Sequence, residues 1–279
     1  MTTDATTVAD MLQRARSMGV ERLDAQQLLA HVLARPRSWL AAHEDAEIDG
    51  ALSAALAASL VRCAAGEPLA YVLGEQEFHG LVLRVNADVL VPRPDTEALV
   101  DWALELLAGA LAPVVNPRVV DLGTGSGAIA LAVRHAHPDA SVLATDISAA
   151  ALEVARANAT RLGLPVSMLA GSWWGAAPRD RRFHLALSNP PYVAGDDPHL
   201  AALRHEPMLA LTPGGDGLAA LRQIVGGAAE HLEPGGWLLL EHGHDQAEAV
   251  RALLREHDFS AIETRRDLGG RLRCTGGRN

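Results

Sequence analysis

Arg118-Val119-Val120-Asp121-Leu122-Gly123-Thr124-Gly125-Ser126-Gly127 runs from an apolar stretch straight into a loop with a glycine at every second position. The first half reads as a strand buried on both faces. The glycines let the backbone come close to a ligand. A helix over "AIALAVRHAH" follows at once, so its N-terminal N–H groups face the same point. The spacing is GxGxG, not the GxGxxG of dinucleotide-binding folds, and no Lys-Ser/Thr pair follows to make a phosphate-cradling loop. The next apolar strand, "SVLATD", ends in Asp146, and an acidic residue at that strand end suits the two hydroxyls of a ribose. Alone, a glycine turn also serves tight helix–strand packing. With Asp121 and Asp146 in this strand context it reads as a nucleoside-binding turn.

Working outward, short apolar strands alternate with helices to the end of the chain. "SAAALEVARANATRLG" is a helix, and "VSMLAG" and "FHLALSN" are strands. "DGLAALRQIVGGAAEHL" is a helix, "GWLLLEHG" a strand and "DQAEAVRALLREHD" a helix. Two closing strands, near residues 261–265 and 271–275, form an antiparallel edge pair. This alternation predicts an α/β fold with a doubly wound sheet. Upstream the pattern is helical. Residues 7–19 place Val8, Met11, Leu12 and Ala15 on one face, with Gly19 as a stop; residues 22–34 repeat it with Leu23, Leu28, Leu29, Val32 and Leu33. A third apolar-periodic segment, residues 50–65, ends at Gly66, and together these predict a small N-terminal bundle. Residues 69–94 are rich in β-formers and predict a hairpin turning at His79-Gly80. "DTEALVDWALELLAGAL" is a helix capped by Asp95 or Thr96. The expected domains are 1–74 (helical), 75–92 (hairpin connector) and 93–279 (α/β).

The chain has 279 residues, 49% hydrophobic and 21% charged, with a net charge of −10. Every basic residue is Arg, which fits a coding bias better than a function. The acidic balance argues against a free duplex-DNA binder, which needs a basic face. No apolar run reaches membrane-spanning length, and the start "MTTDATTVADMLQRARS" lacks the shape of a signal peptide, so a cytoplasmic protein is expected. Cys63 and Cys274 stand far apart and are expected to be reduced thiols.

The strand "FHLALSN" ends in Asn189-Pro190-Pro191-Tyr192. The switch-point rule for wound sheets puts ligands at the carboxyl ends of strands, so Asn189 should lie beside the ligand of the glycine turn. The Asn189 carboxamide oxygen and the Pro190 carbonyl can both accept hydrogen bonds from a planar substrate NH2. Two prolines hold those acceptors rigid, and the Tyr192 ring can pack on a flat substrate group. A plain Asn-Pro turn after a strand is the bland alternative.

DLGTGSG together with NPPY resembles the class I S-adenosylmethionine-dependent methyltransferases that modify exocyclic or amide nitrogen. "GEPLAYVLGEQEFHGL", "VLVPRPDTEALV", "EPMLAL", "GGDGL", "PGGWLLLEHGHDQ" and "DLGGRLRCTGGR" narrow the likeness to the release factor glutamine methyltransferase family, over nearly the whole chain. The resemblance implies a Rossmann-like class I fold and S-adenosyl-L-methionine as cofactor, leaving S-adenosyl-L-homocysteine. It implies that Gly123, Thr124, Gly125, Ser126 and Gly127 hold the methionine portion and that Asp146 binds the ribose hydroxyls. Trp173 of "GSWW" contacts the adenine, with Trp174 as the alternative. Where the family often has an acidic residue before that Trp, this chain has Ser172. Asn189, Pro190, Pro191 and Tyr192 hold the substrate, the glutamine of the GGQ loop in a class 1 peptide release factor. Pro92 to Glu97 wall the site, with Arg93 and Glu97 unassigned. The helical domain, which does not carry the catalytic motifs, is expected to recognise the partner protein. A monomer is expected, with no metal and no direct contact to nucleic acid or membrane.

Three other functions share some of these motifs: glutamine methylation of a ribosomal protein, adenine-N6 methylation of DNA, and cofactor binding without catalysis. A DNA enzyme must extract its base from the duplex, and neither a basic face nor a target-recognition region is evident. His242-Gly243-His244-Asp245 lacks further ligands at metal-site spacing. Ser126 lacks the GxSxG setting of a hydrolase nucleophile. Arg179 to Arg182 read as a solvated loop.

Overall fold

The computed structural model describes residues 6–279; residues 1–5, the beginning of the stretch read above as lacking a signal-peptide shape, lie outside it. The chain divides into two compact units, one ending at Glu75 and the other Gln76–Asn279.

The first unit is all helical: α1 (Val8–Ser17), α2 (Arg22–Val32), α3 (Arg37–Ala42), α4 (Gly50–Ala64) and α5 (Leu69–Leu73). A capping box starts α1. Thr7 Oγ1 accepts from the Asp10 N–H and the Asp10 carboxylate accepts from the Thr7 N–H, which satisfies two otherwise orphaned donors. Val8, Met11, Ala15, Leu28, Leu29, Leu40, Leu56 and Leu60 form the core, as the spacing predicts for α1 and α2. Leu23 departs from it and is 52% exposed, because the buried face of α2 runs through Ala25, Leu28 and Leu29 and leaves Leu23 off it. Helices α3 and α5 are too short to show a period. The second lies in the segment that composition marks as β, and it is closed by Gly74 in the left-handed region (φ 77°).

The second unit begins within the hairpin of β1 (Glu75–Phe78) and β2 (Leu81–Arg84), turned through His79 (φ 48°) and Gly80 (φ 77°). Two successive positive φ values are what a two-residue hairpin turn requires. Then follow α6 (Glu97–Ala108), β3 (Arg118–Leu122), α7 (Ala128–Ala136), β4 (Ser141–Asp146), α8 (Ala149–Leu162), β5 (Ser167–Ala170) and β6 (Phe183–Ser188). After these come α9 (Met208–Leu211), α10 (Ala219–His231), β7 (Leu232–Glu241), α11 (Ala247–Glu256), β8 (Ser260–Arg266) and β9 (Leu272–Arg278). The seven-stranded sheet runs β5-β4-β3-β6-β7-β9-β8; β5 to β7 are parallel, and β9 is antiparallel to both its neighbours. The winding reverses between β3 and β6, which opens a crevice at their carboxyl ends.

Each central strand feeds two cores. Val119, Leu185, Leu187 and Leu239 join Trp102, Leu131 and their neighbours on one face. Val120, Leu122, Leu238 and Leu240 join Ile224, Val250 and Leu254 on the other.

The last strand continues past Thr275, where its Gly276-Gly277 pair suggests an end. The glycines are kept for space. A Cβ at Gly276 would stand 2.4 Å from Leu239 Cδ2 and 3.0 Å from the Trp102 ring, and one at Gly277 would stand 3.2 Å from Phe259 Cβ. Gly276→Ala is therefore expected to overpack the sheet, costing about 1–3 kcal/mol. A urea midpoint unchanged from the parent would show that the sheet yields at no cost.

Candidate active site

The glycine turn lies where the sheet reverses. Gly123 (φ 78°), Gly125 (φ 55°) and Gly127 (φ 86°) all occupy the left-handed region, which only glycine enters freely. Gly123 N–H and Thr124 N–H both donate to the Thr145 carbonyl, at 2.8 and 2.9 Å. Asp146 at the end of β4 accepts from the Gly125 N–H and from the Ser148 N–H, each at 2.8 Å. An ionised carboxylate has about four lone-pair positions, so both oxygens can still accept further hydrogen bonds. The turn is tied from behind as well. Buried Asn158 of α8 donates to the carbonyls of Ser126 and Arg84, each at 3.0 Å, and accepts from the Arg84 N–H at 2.7 Å. In the sequence Asn158 is one polar position on an ordinary helix, with no motif to mark it.

A cavity of about 310 Å³ opens over this turn. Gly123, Thr124, Gly125, Ser126, Asp146, Ser172, Trp173, Asn189 and Pro191 all line it. Ile147, 59% exposed, adds an apolar wall. Of the two tryptophans, Trp173 faces the cavity with its ring packed over Gly123, where a Cβ would lie 3.0 Å from it. Trp174 is structural: its indole N–H donates to the Ile224 carbonyl at 2.7 Å and its ring stacks on His231. A glycine cradle, a carboxylate with spare acceptor capacity, and an apolar-aromatic wall fit a nucleoside bearing a small zwitterionic tail.

Past β6, the chain passes through Asn189 and Pro191 at the cavity and buried Pro190 between them. Neither Pro190 nor Tyr192 is among the lining residues. Asn189 Nδ2 donates to Thr96 Oγ1 at 3.2 Å. Tyr192 is held at both ends: its hydroxyl donates to Glu241 Oε1 at 3.1 Å and its carbonyl accepts from Gln246 Nε2 at 2.9 Å. Burial, and then the neighbouring Glu241 charge, raise the Tyr192 pKa, so its proton stays on.

The helix α6 carries no side-chain cap, against expectation. Both candidates take tertiary partners instead: Thr96 meets Asn189 at the cavity, and Asp95 pairs with Arg273 at 3.1 Å. Arg93 pairs with buried Glu206, which also accepts from the Val91 N–H at 3.1 Å. Glu97 is remote in role, accepting from the His79 N–H at 3.0 Å to brace the hairpin. His242 is buried between the Gly243 carbonyl and the Thr275 hydroxyl. Among the described residues no group of three or more His, Cys, Asp or Glu gathers to hold a metal, and no helix is long and apolar enough to cross a membrane.

Comparison with known proteins agrees with this geometry. The "Methyltransferase small domain" family matches residues 96–217, and the "PrmC N-terminal domain" family matches residues 6–74. The release factor glutamine methyltransferase of Bordetella pertussis is 53% identical over 93% of this chain and 95% of its own. The chain belongs to the release factor glutamine methyltransferase family. The Burkholderia pseudomallei member is 47% identical over 98% of this chain and 96% of its own. Solved structures share the fold at low identity. A methyltransferase from Pyrococcus furiosus aligns with a TM-score of 0.53 at 18% identity, covering 71% of this chain and 89% of that one. The T. thermophilus 16S rRNA N2 G1207 methyltransferase, in complex with AdoMet and guanosine, gives 0.54 at 20%, covering 74% and 49%. As a family member this chain is a glutamine methyltransferase whose methyl donor is S-adenosylmethionine.

Two carboxyls of the site region are fully buried. Burial pushes Asp121 up to about 7, against hydrogen bonds from the Thr124 hydroxyl and the Ala130 N–H. Burial also pushes Glu241 up to about 7, against the Thr96 hydroxyl, the Arg273 charge and the Tyr192 hydroxyl. The ordinary values are 3.8 and 4.5, so the folded chain holds these protons more tightly than the unfolded chain. Their contribution to stability is complete below the unfolded values and is lost as pH rises to about 7. Asp121→Asn and Glu241→Gln mimic the neutral acids. Each is expected to gain stability relative to the parent as pH climbs through that window, measured by urea unfolding. A difference that stays flat with pH would mean the carboxyls are ionised throughout.

Proposed function

We propose that this enzyme methylates the side-chain amide nitrogen (N5) of the glutamine in the GGQ motif of class 1 peptide chain release factors. The observation that carries the reading is the placement of Asn189. Its carboxamide lies at the cavity over the glycine turn, with its NH2 engaged by Thr96 and its oxygen left to accept.

The turn at Gly123, Thr124, Gly125, Ser126 and Gly127 holds the methionine end of the cofactor, Asp146 the ribose hydroxyls, and Trp173 the adenine. When bound, the cofactor supplies an electrophilic methyl group. An amide nitrogen is a poor nucleophile because its lone pair is delocalised, so the protein's task is orientation and partial localisation of that pair. Asn189 Oδ1 and the Pro190 carbonyl accept the two amide protons and aim the nitrogen. Pro190 and Pro191 stiffen the acceptors. Tyr192 works through its anchored ring, which fixes the loop. The nitrogen sheds a proton to solvent, so no strong base is needed. The enzyme acts in the cytoplasm, where release factors work.

Mass spectrometry after incubation with a class 1 release factor and S-adenosylmethionine should find one added methyl on the GGQ glutamine, lost in Asn189→Ala. Cofactor binding without that methyl would turn the reading toward a ribosomal-protein glutamine. The helical first unit we assign to gripping the partner. A chain of residues 76–279 should bind cofactor yet fail to methylate the intact release factor; full activity in that fragment would remove the first unit from recognition.

A further inference from the structure

The two ends of a side-chain amide are nearly equal in shape, so its direction is set by what each end meets. For Gln246 both neighbours leave no choice. Oε1 accepts from the Gly243 N–H at 2.9 Å, and a backbone N–H can only donate. Nε2 donates to the Tyr192 carbonyl at 2.9 Å, and a carbonyl can only accept. The backbone of the same turn is closed as well, the Gln246 N–H donating to the Gly243 carbonyl at 2.9 Å. Half-buried at the start of α11, Gln246 is thus a donor aimed in one direction by its own turn.

Two glycines keep room for this contact. A Cβ at Gly217 would stand 2.3 Å from the Tyr192 carbonyl oxygen and 2.9 Å from Gln246 Nε2. One at Gly243 would stand 3.1 Å from Gln246 Oε1. Gly217, Gln246 and Tyr192 come from three separate segments, and they converge on one carbonyl at the end of NPPY.

That carbonyl matters because of what precedes it. The rings of Pro190 and Pro191 fix their own φ. Across Pro190 to Tyr192 the soft dihedrals are therefore ψ of each proline and the two of Tyr192. A peptide plane pinned at Tyr192 restricts those rotations, and with them the direction of the Pro190 carbonyl.

We propose that Gln246 is a positioning residue for methyl transfer: its donation to the Tyr192 carbonyl holds the doubled-proline segment so that the Pro190 carbonyl points at the substrate amide. The proposal rests on the reading of Asn189 and Pro190 as the substrate's acceptors, but its first test needs no substrate.

The chain has two tyrosines, Tyr71 and Tyr192. Tyrosine labelled with carbon-13 at the carbonyl therefore gives two magnetic resonance signals, and the one missing from Tyr192→Phe belongs to Tyr192. Gln246→Glu keeps the shape and the acceptor for Gly243 but loses the donor; Gln246→Met loses both. In each, the Tyr192 carbonyl signal should shift while that of Tyr71 stays. With a release factor as substrate, kcat should fall by about 10- to 100-fold in both variants, the scale of a misaimed contact. KM and the Kd for S-adenosylhomocysteine should stay within about twofold, since the loss is of orientation and not of binding. In Gln246→Glu the deficit should shrink as pH falls toward the ordinary carboxyl value of about 4.3. There the protonated carboxyl regains an O–H, and the Gly243 N–H reserves the other oxygen as acceptor. Gln246→Met has nothing to protonate, so its deficit should not shrink. An unmoved Tyr192 signal, an unchanged kcat, or a Gln246→Glu deficit that is flat with pH would overturn the proposal. If the parent protein methylates no release factor, the substrate reading fails by itself, and the Tyr192 signal still decides whether Gln246 holds the loop.

Discussion

Everything in the site hangs on a backbone that must be left-handed three times within five residues. Such a turn has no regular hydrogen-bond ladder, and its N–H and carbonyl groups need partners from elsewhere. Asp146 takes the Gly125 N–H, the Thr145 carbonyl takes two more, and Asn158 takes the Ser126 carbonyl. All of these partners come from β4 and α8, the crossover that follows the turn in sequence. The turn is rigid because the first βαβ unit closes on it, and the ligand meets a preformed cradle.

The second half of the site is assembled differently. Asn189, Glu241 and Thr96 come from the ends of β6 and β7 and from the short turn before α6, far apart in the chain. Parallel neighbours in one sheet deliver their ends side by side, so Asn189 and Glu241 become neighbours through register, with Ser188 opposite Leu240. This region is thus a product of tertiary pairing, and the glycine turn a product of local sequence.

This division explains what the sequence discloses. The wound α/β sheet, the edge hairpin and the helical first unit follow from periodicity, which reports burial directly. The residues around the cavity are legible because glycines at alternate positions and a doubled proline have few other uses. Thr96 and Asp95 mislead, since a Thr or Asp before a helix signals a cap, and here tertiary partners took both side chains. Glu241 and Glu206 gave no signal at all: a carboxylate in a sequence looks solvated, and only the packed structure shows these two buried. The Gly276-Gly277 pair misleads in the opposite direction, because crowding on both faces of a strand is invisible in the sequence.

The segment that follows NPPY carries one more consequence. Val193 N–H bonds to the Leu211 carbonyl and Gly195 N–H to the Gly215 carbonyl, closing the base of a long excursion. Between those points Glu206 reaches back to the Val91 N–H and the Arg93 guanidinium. A wall fastened at its foot and at its middle is not a flap. Swinging it aside would strand a buried carboxylate and open a backbone pair together. The mouth of the cavity on this side is therefore set by the fold itself and not by a hinged cover.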